Sequence, residues 1–580
     1  MTPRAPDRIL RVDLTAGRTT SEPVPERWRR RYIGGKGLGA RYLYDELESG
    51  IDPLSPANVL AFVLGPVSGY LPGDGRYAAI TKSPLTGTFL DSYAGGTFPA
   101  RLAGALDEHI GMLVTGRAET PAVLVVEDGS ARIEPATTWG EDAVETARAY
   151  PDASVACIGP AGERLVSFAT IASDEASHHA GRGGAGAVMG AKRLKAVVVH
   201  GEPPAPDETL AELRARERER YAKSETGRWQ AASETLETVD FADATDVLAS
   251  RGWTDRGFDA AEAVGVEAAR EVATGREREG SIPGGFRIET EAGETIPRGA
   301  TGMSLGAGLG IEDFDAVAAL GERCNRLGVD LISAGNAIAW AIRAADEGIV
   351  DRDLSFGEPE DANALLEEIA AREAPHGDAL ADGVEAAADR LGGDGLVPAI
   401  KRMSLPAYDP RNVASMALAY ATSDRGGCHR RARPVEQAAF EAPWSPERAA
   451  AAVVAAQDER SLRWSLVADD FAGETLDVAA WLDAVEAPYD DLEHTGERIW
   501  NLIRLFNVRE GFDRSDDDYP AALGGAGTVE DDFEAMLEAY YAKRGWGPTG
   551  RPTRQTLDRL GLASVPDDET PLDRRAVDAP

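Results

Sequence analysis

The run Ala180-Gly181-Arg182-Gly183-Gly184-Ala185-Gly186-Ala187-Val188-Met189-Gly190 sets an arginine among five glycines. Glycine adopts positive φ and tight turns, and successive backbone N–H groups in such turns form a concave anion site. The Arg182 guanidinium can bind phosphate through two parallel N–H bonds or stack on a ring. The apolar run Ala196-Val197-Val198-Val199 follows, so the segment also reads as a glycine-rich turn packed on a sheet. Taken alone, it leaves both readings open.

Related runs recur along the chain: Ile33-Gly34-Gly35-Lys36-Gly37-Leu38-Gly39-Ala40, Gly75-Arg76-Tyr77, Asp91-Ser92-Tyr93-Ala94-Gly95-Gly96, Asn325-Arg326-Leu327-Gly328-Val329-Asp330 and Ala421-Thr422-Ser423-Asp424-Arg425-Gly426-Gly427-Cys428-His429. The elements that carry them change character along the chain. Short β-like runs such as Val59–Leu64, Ala122–Val126 and the segment ending near His200 alternate with glycine-rich turns up to about residue 200. After Gly201-Glu202-Pro203-Pro204-Ala205-Pro206, alanine, glutamate and arginine dominate, as helices require. Near the end, Phe533, Met536, Leu537, Tyr540 and Tyr541 share one helical face, with Gly545 as its C-cap. The acidic stretch after Pro566 is expected to fray. The expected fold is α+β: a sheet-rich N-terminal domain (1–203) followed by two mainly helical domains (204–404 and 405–580).

Bulk properties exclude several functions. The 580 residues carry a net charge of −37, and only seven of the 61 basic residues are lysines. Such acidity excludes a nucleic-acid partner, which needs clustered positive charge. It fits a haloarchaeal-type, high-salt cytoplasm, where salt screens self-repulsion. There is no apolar run of membrane-spanning length and no signal peptide, so the expectation is a cytoplasmic protein with no membrane partner. Cys157, Cys324 and Cys428 are too scattered to form a disulfide framework.

In order and spacing, these runs resemble the aldehyde:ferredoxin oxidoreductase family of tungsten-pterin enzymes, from Ile9-Leu10-Arg11-Val12-Asp13-Leu14 to Tyr541-Ala542-Lys543-Arg544-Gly545-Trp546. Leu405–Arg411 and Trp500–Arg509 also read like family segments. The resemblance implies a tungsten- or molybdenum-pyranopterin held between the domains, with phosphates joined by magnesium and no protein ligand to the tungsten. Arg76 and Arg182 match family arginines near that cofactor. Tyr93 and Gly183 fall where main-chain carbonyls hold the magnesium, and Gly95, Gly96 and Gly184 let the backbone come close. Asn325, Gly328, Val329 and Asp330 belong to the first pterin loop. The second aligns with Trp464-Ser465-Leu466-Val467-Ala468-Asp469, where Trp464 replaces an aspartate and Val467 a glycine. Only Asp469 remains of its pattern, and a valine there strains any left-handed backbone.

The family's [4Fe–4S] cluster sits on Cys-x-x-Cys-x-x-x-Cys plus one distant cysteine. Those positions correspond to Glu279, Ile282, Phe286 and Asp469, none able to serve as a thiolate ligand. The family's Glu-Tyr-Glu-Thr run becomes Arg298-Gly299-Ala300-Thr301, without a carboxylate, and leaves His429 as the matched catalytic residue. The implied function is oxidation of small aldehydes to carboxylic acids, with ferredoxin or another external acceptor taking the electrons. A homodimer is one assembly it allows. The alternative is a non-catalytic paralogue serving as an assembly partner or regulatory subunit.

Overall fold

The computed structural model describes residues 4–73, 75–280, 282–524 and 529–573. Twelve strands run through the first two hundred residues: β1 (Arg8–Asp13), β2 (Arg18–Pro23), β3 (Leu60–Val63), β4 (Tyr77–Lys82), β5 (Phe89–Ala94), β6 (His109–Thr115), β7 (Ala122–Glu127), β8 (Ser130–Pro135), β9 (Ser154–Cys157), β10 (Ile171–Ser173), β11 (His178–Ala180) and β12 (Leu194–His200). They form two six-stranded sheets, ordered β2-β1-β6-β3-β4-β5 and β11-β10-β9-β12-β7-β8. Each sheet has one parallel pair, β1–β6 and β7–β12, among antiparallel neighbours. Phe62 and Met112 from the first sheet pack with Leu124 and Val199 from the second in one apolar core. The opposite faces are buried too, Ala61 and Val63 in a second apolar cluster and Ala196 and Val198 in a third, so β3 and β12 read as continuous apolar runs rather than alternating ones.

The outer face of the first sheet is covered by two helices distant in sequence, Gly35–Glu46 and Leu492–Arg509. Leu38 and Leu43 meet Ile499, Leu502 and Phe506 against Ile80 and Phe89. The C-terminal part of the chain therefore returns to the N-terminal sheet. Beyond residue 200 the described chain is mainly helical, as composition predicts. The largest apolar core runs without interruption from Val239 through Trp340 and Leu405 to Trp500 and Tyr540, so the expected 404/405 boundary falls within a shared core. The amphipathic segment forms the helix Val529–Arg544 with its five apolar residues buried, and Gly545 follows at φ 64°. Residues 574–580 of the acidic tail lie outside the described residues. No described helix is long and apolar enough to cross a membrane.

Candidate cofactor-binding cavity

A cavity of about 350 Å3 opens where β5, the segment after β11 and the helical parts of the chain meet. Among the described residues its walls carry seven arginines, Arg76, Arg182, Arg278, Arg298, Arg425, Arg430 and Arg433, against four carboxylates, Glu234, Asp330, Asp469 and Asp470. The arginine excess makes the local potential positive within a chain of net charge −37.

Two loops of matching shape enter from opposite parts of the helical region. In the first, helix Phe314–Leu327 ends at Gly328 (φ 71°), and Asp330 caps helix Leu331–Asp346 by accepting from the Ser333 N–H at 2.9 Å. In the second, helix Pro446–Ser465 is followed by Val467 at φ 50°, and Asp469 accepts from the N–H groups of Phe471 and Ala472, both at 2.9 Å. The valine thus adopts the left-handed geometry that glycine takes in the first loop. The strain, about 1–2 kcal/mol, is held by burial of Val467 at 1% exposure.

Glycines in the N-terminal domain receive both loops. A Cβ at Gly159 would lie 2.5 Å from the Leu327 carbonyl oxygen, and a Cβ at Gly35 2.2 Å from that of Trp464. The glycine run at 33–40 therefore serves close backbone approach. The loops differ in what they present. Asn325, Val329 and Asp330 line the cavity, whereas the second loop contributes Asp469 and turns its tryptophan inward. Trp464 stacks on Tyr93 with ring centroids 5.1 Å apart and donates to Asp470 at 2.9 Å.

The other candidates divide. Arg76 donates to Asp469 at 2.8 Å, while its buried Nε has no acceptor among the described residues. Arg182 lines the cavity too, but its terminal nitrogens are committed to protein. Nη2 reaches the carbonyls of Ser404 and Gly427, both at 2.6 Å, and Nη1 reaches Ser333 at 3.4 Å and Asp330 at 3.5 Å. Tyr93 lines the cavity with its hydroxyl donating to Asp91 at 2.6 Å. Its ring leans on Trp464 rather than standing free.

Gly95, Gly96, Gly183 and Gly184 do not line the cavity. The turn after Gly96 already has a carboxylate: Asp174 accepts from the Thr97 N–H at 2.8 Å, where a phosphate could otherwise bind. The Gly183 carbonyl accepts from Ser83 at 2.7 Å, and a Cβ on Gly184 would lie 2.2 Å from the Ser167 carbonyl oxygen. The packing reading holds for this part of the glycine run.

Several cavity residues come into view only through the fold. Arg425, Arg430 and Arg433 flank His429, and the sequence signal that points to them is four arginines within the nine residues 425–433. Arg425 is 1% exposed, donates to the Cys428 Sγ at 3.2 Å, and keeps a buried Nε with no acceptor among the described residues. Nearby Arg425, Arg431 and Arg182 pull the Cys428 thiol down to about 7 despite its burial. His429 lines the cavity, and burial together with Arg433, Arg430, Arg182 and Arg425 holds its imidazole well below the usual range. The run Arg298-Gly299-Ala300-Thr301 itself supplies no carboxylate. Arg298 binds Glu234 and Glu277, each at 2.8 Å, so two carboxylates arrive from elsewhere in the chain.

The residues at the implied cluster positions do not fit an iron-sulfur group. Ile282 packs with Tyr221 and Ala472 in an apolar cluster, and Phe286 lies under the Arg276 guanidinium at 3.7 Å. Asp469 is already bonded to Arg76. The three cysteines are buried, and of them only Cys428 borders the cavity.

Fold and cavity together define a protein in which an N-terminal double sheet meets a helical region at an arginine-rich cavity. Residues 9–201 match the model for the aldehyde ferredoxin oxidoreductase N-terminal domain, and residues 212–562 match that for domains 2 and 3. The chain belongs to the aldehyde ferredoxin oxidoreductase family. It is 32% identical to the tungsten-containing aldehyde ferredoxin oxidoreductase of Pyrococcus furiosus, an alignment covering 96% of this chain and 98% of that protein. Identity to the Thermococcus kodakarensis protein of the same name is 30%, over 96% and 98% of the two chains. The fold also matches the active-site complex BamBC of benzoyl coenzyme A reductase, solved with 1,5-dienoyl-CoA. That match has a TM-score of 0.82 at 24% identity and covers 97% of this chain and 98% of that one.

Proposed function

We propose that this chain is an oxidoreductase that holds a tungsten-pterin group in the arginine-lined cavity and oxidises aldehydes to carboxylic acids. The observation that carries the reading is the pair of buried N–H donors without acceptors, Arg76 Nε and Arg425 Nε, on residues lining a net-positive cavity. A buried donor left unpaired costs about 1–3 kcal/mol, and an anion that engaged these guanidinium groups would offset that cost. Asn325 and Asp330 offer hydrogen-bonding partners for the edge of one pterin, and Asp469 faces the other side of the cavity. When bound, the metal-pterin group supplies a two-electron centre for oxidising a carbonyl.

Tungsten is favoured over molybdenum because the relatives above are tungsten-containing proteins. Electrons pass to ferredoxin or another external acceptor without an iron-sulfur cluster in this chain, since none of the four cluster positions holds a thiolate. The test is metal, sulfide and pterin analysis of natively expressed protein purified without oxygen. Stoichiometric tungsten and pterin with no iron is the expected result. Absence of both tungsten and molybdenum would overturn the enzyme reading in favour of a non-catalytic paralogue, and a full complement of iron and sulfide would overturn the cluster-free one.

A further inference from the structure

Three histidines line the cavity, and their surroundings separate them. Both ring nitrogens of His179 are occupied, Nδ1 by the Thr170 hydroxyl at 2.8 Å and Nε2 by the Ala176 carbonyl at 2.9 Å. His429 sits among arginines, which disfavour its protonated form. His178 differs: its Nε2 pairs with Glu277 Oε1 at 2.7 Å, and its other nitrogen bonds no described residue. The second Glu277 oxygen accepts from Arg298 at 2.8 Å, and Arg298 also binds Glu234 at 2.8 Å.

Arg298 and His178 hold the Glu277 carboxyl far below its usual range, so it stays an anion. A fixed carboxylate on one imidazole nitrogen leaves the other to accept a proton and stabilises the imidazolium that forms. His179 and Asp174 are the other titratable groups close to this ring. The pair also spans a wall. His178 faces the inner cavity, while Glu277 lines an outer cavity of about 900 Å3 that shares Ser177, Thr295, Ile296 and Asn325 with it. Proton chemistry on the inner side therefore has an outlet toward the outer cavity.

We propose that His178, held by Glu277, is the proton acceptor for water adding to the carbonyl substrate, the role the sequence assigns to His429. The inference rests on the aldehyde-oxidising reading. In that reaction an aldehyde and water give a carboxylic acid, two protons and two electrons. The electrons go to the external acceptor, one proton goes to the free His178 nitrogen, where Glu277 balances the charge before its release to solvent, and the second proton is released to bulk water.

The test uses the metal-loaded protein. His178→Ala is expected to lower kcat by about 10²–10⁴-fold, with KM little changed, tungsten and pterin contents retained, and activity restored by free imidazole. Full kcat in this variant would overturn the proposal, as would a loss that imidazole does not rescue. A second measurement is carbethoxylation mapped by mass spectrometry on the purified wild type. His178 should react at its free nitrogen, carboxylate product should shield it, and His179 should stay unmodified. An unreactive or unshielded His178 would overturn the site. Because this assay needs no turnover, its failure and a failure of the aldehyde reading are read separately.

Discussion

Arg182 has φ 66° and 7% exposure, and it ties the glycine-rich segment to helix Leu331–Asp346 and to the loops at Ser404 and Gly427. As a sequence element it reads as a phosphate ligand. In the fold its terminal nitrogens tie the cavity wall together, while Arg76 and Arg425 each keep a buried Nε with no acceptor among the described residues. Arg182→Ala should therefore lower stability by roughly 3 kcal/mol, since charge-assisted hydrogen bonds contribute about 1.5–3 kcal/mol each. The denaturant midpoint measures this. An unchanged midpoint combined with lost pterin would return Arg182 to the role of direct ligand. Behind this wall a fully buried ionic cluster fixes β5 to its neighbours: Lys36 binds Asp91 at 3.1 Å and Asp424 at 2.5 Å, and Arg431 binds the same two aspartates. Removing one member would leave its partners buried and uncompensated.

At the element scale, the short helix Ala185–Ala191 explains most of the glycine run. It crosses the Pro160–Glu163 turn and β10 so closely that a Cβ at Gly190 would lie 1.9 Å from the Gly162 carbonyl oxygen, and one at Gly186 2.3 Å from that of Thr170. Alanine is the better helix former by about 1 kcal/mol, but backbone overlap of this kind costs about 1–3 kcal/mol. Gly190→Ala is therefore expected to lower the thermal midpoint, and a rise would show that the helix has room to shift. The loops at Gly328 and Val467 make a related point. Their left-handed turns face glycine-lined surfaces of the N-terminal domain, and the shape persists in the second loop even with a β-branched residue.

The whole molecule combines an acidic exterior with an arginine-rich centre. With a net charge of −37, self-repulsion acts over the Debye length, about 10 Å at 0.1 M salt and 3 Å at 1 M. Raising KCl from low to molar concentration should therefore raise the thermal midpoint. The buried Lys36–Asp91–Asp424–Arg431 cluster lies beyond the reach of that screening, so the gain should come from the surface. A midpoint that stays flat or falls with KCl would exclude adaptation to high salt.

The sequence by itself determined what depends on local periodicity and covalent composition. The strands near Leu60, Ala122 and His200, the helix that buries Phe533 to Tyr541, and the change to helix after residue 204 are all legible, because period and propensity act within a few turns. The lack of cluster thiolates is equally fixed, since folding cannot supply a cysteine that the region lacks. Glu279, Ile282, Phe286 and Asp469 already said so. Only the tertiary structure decided which donors lack acceptors, and it engages the Arg182 terminal nitrogens with protein groups. It also brought Glu234 and Glu277 to Arg298, and joined His178 to Glu277 across 99 residues of chain. Those pairings depend on where distant segments meet and on which buried charges find partners, and nothing in the spacing of one segment carries that information.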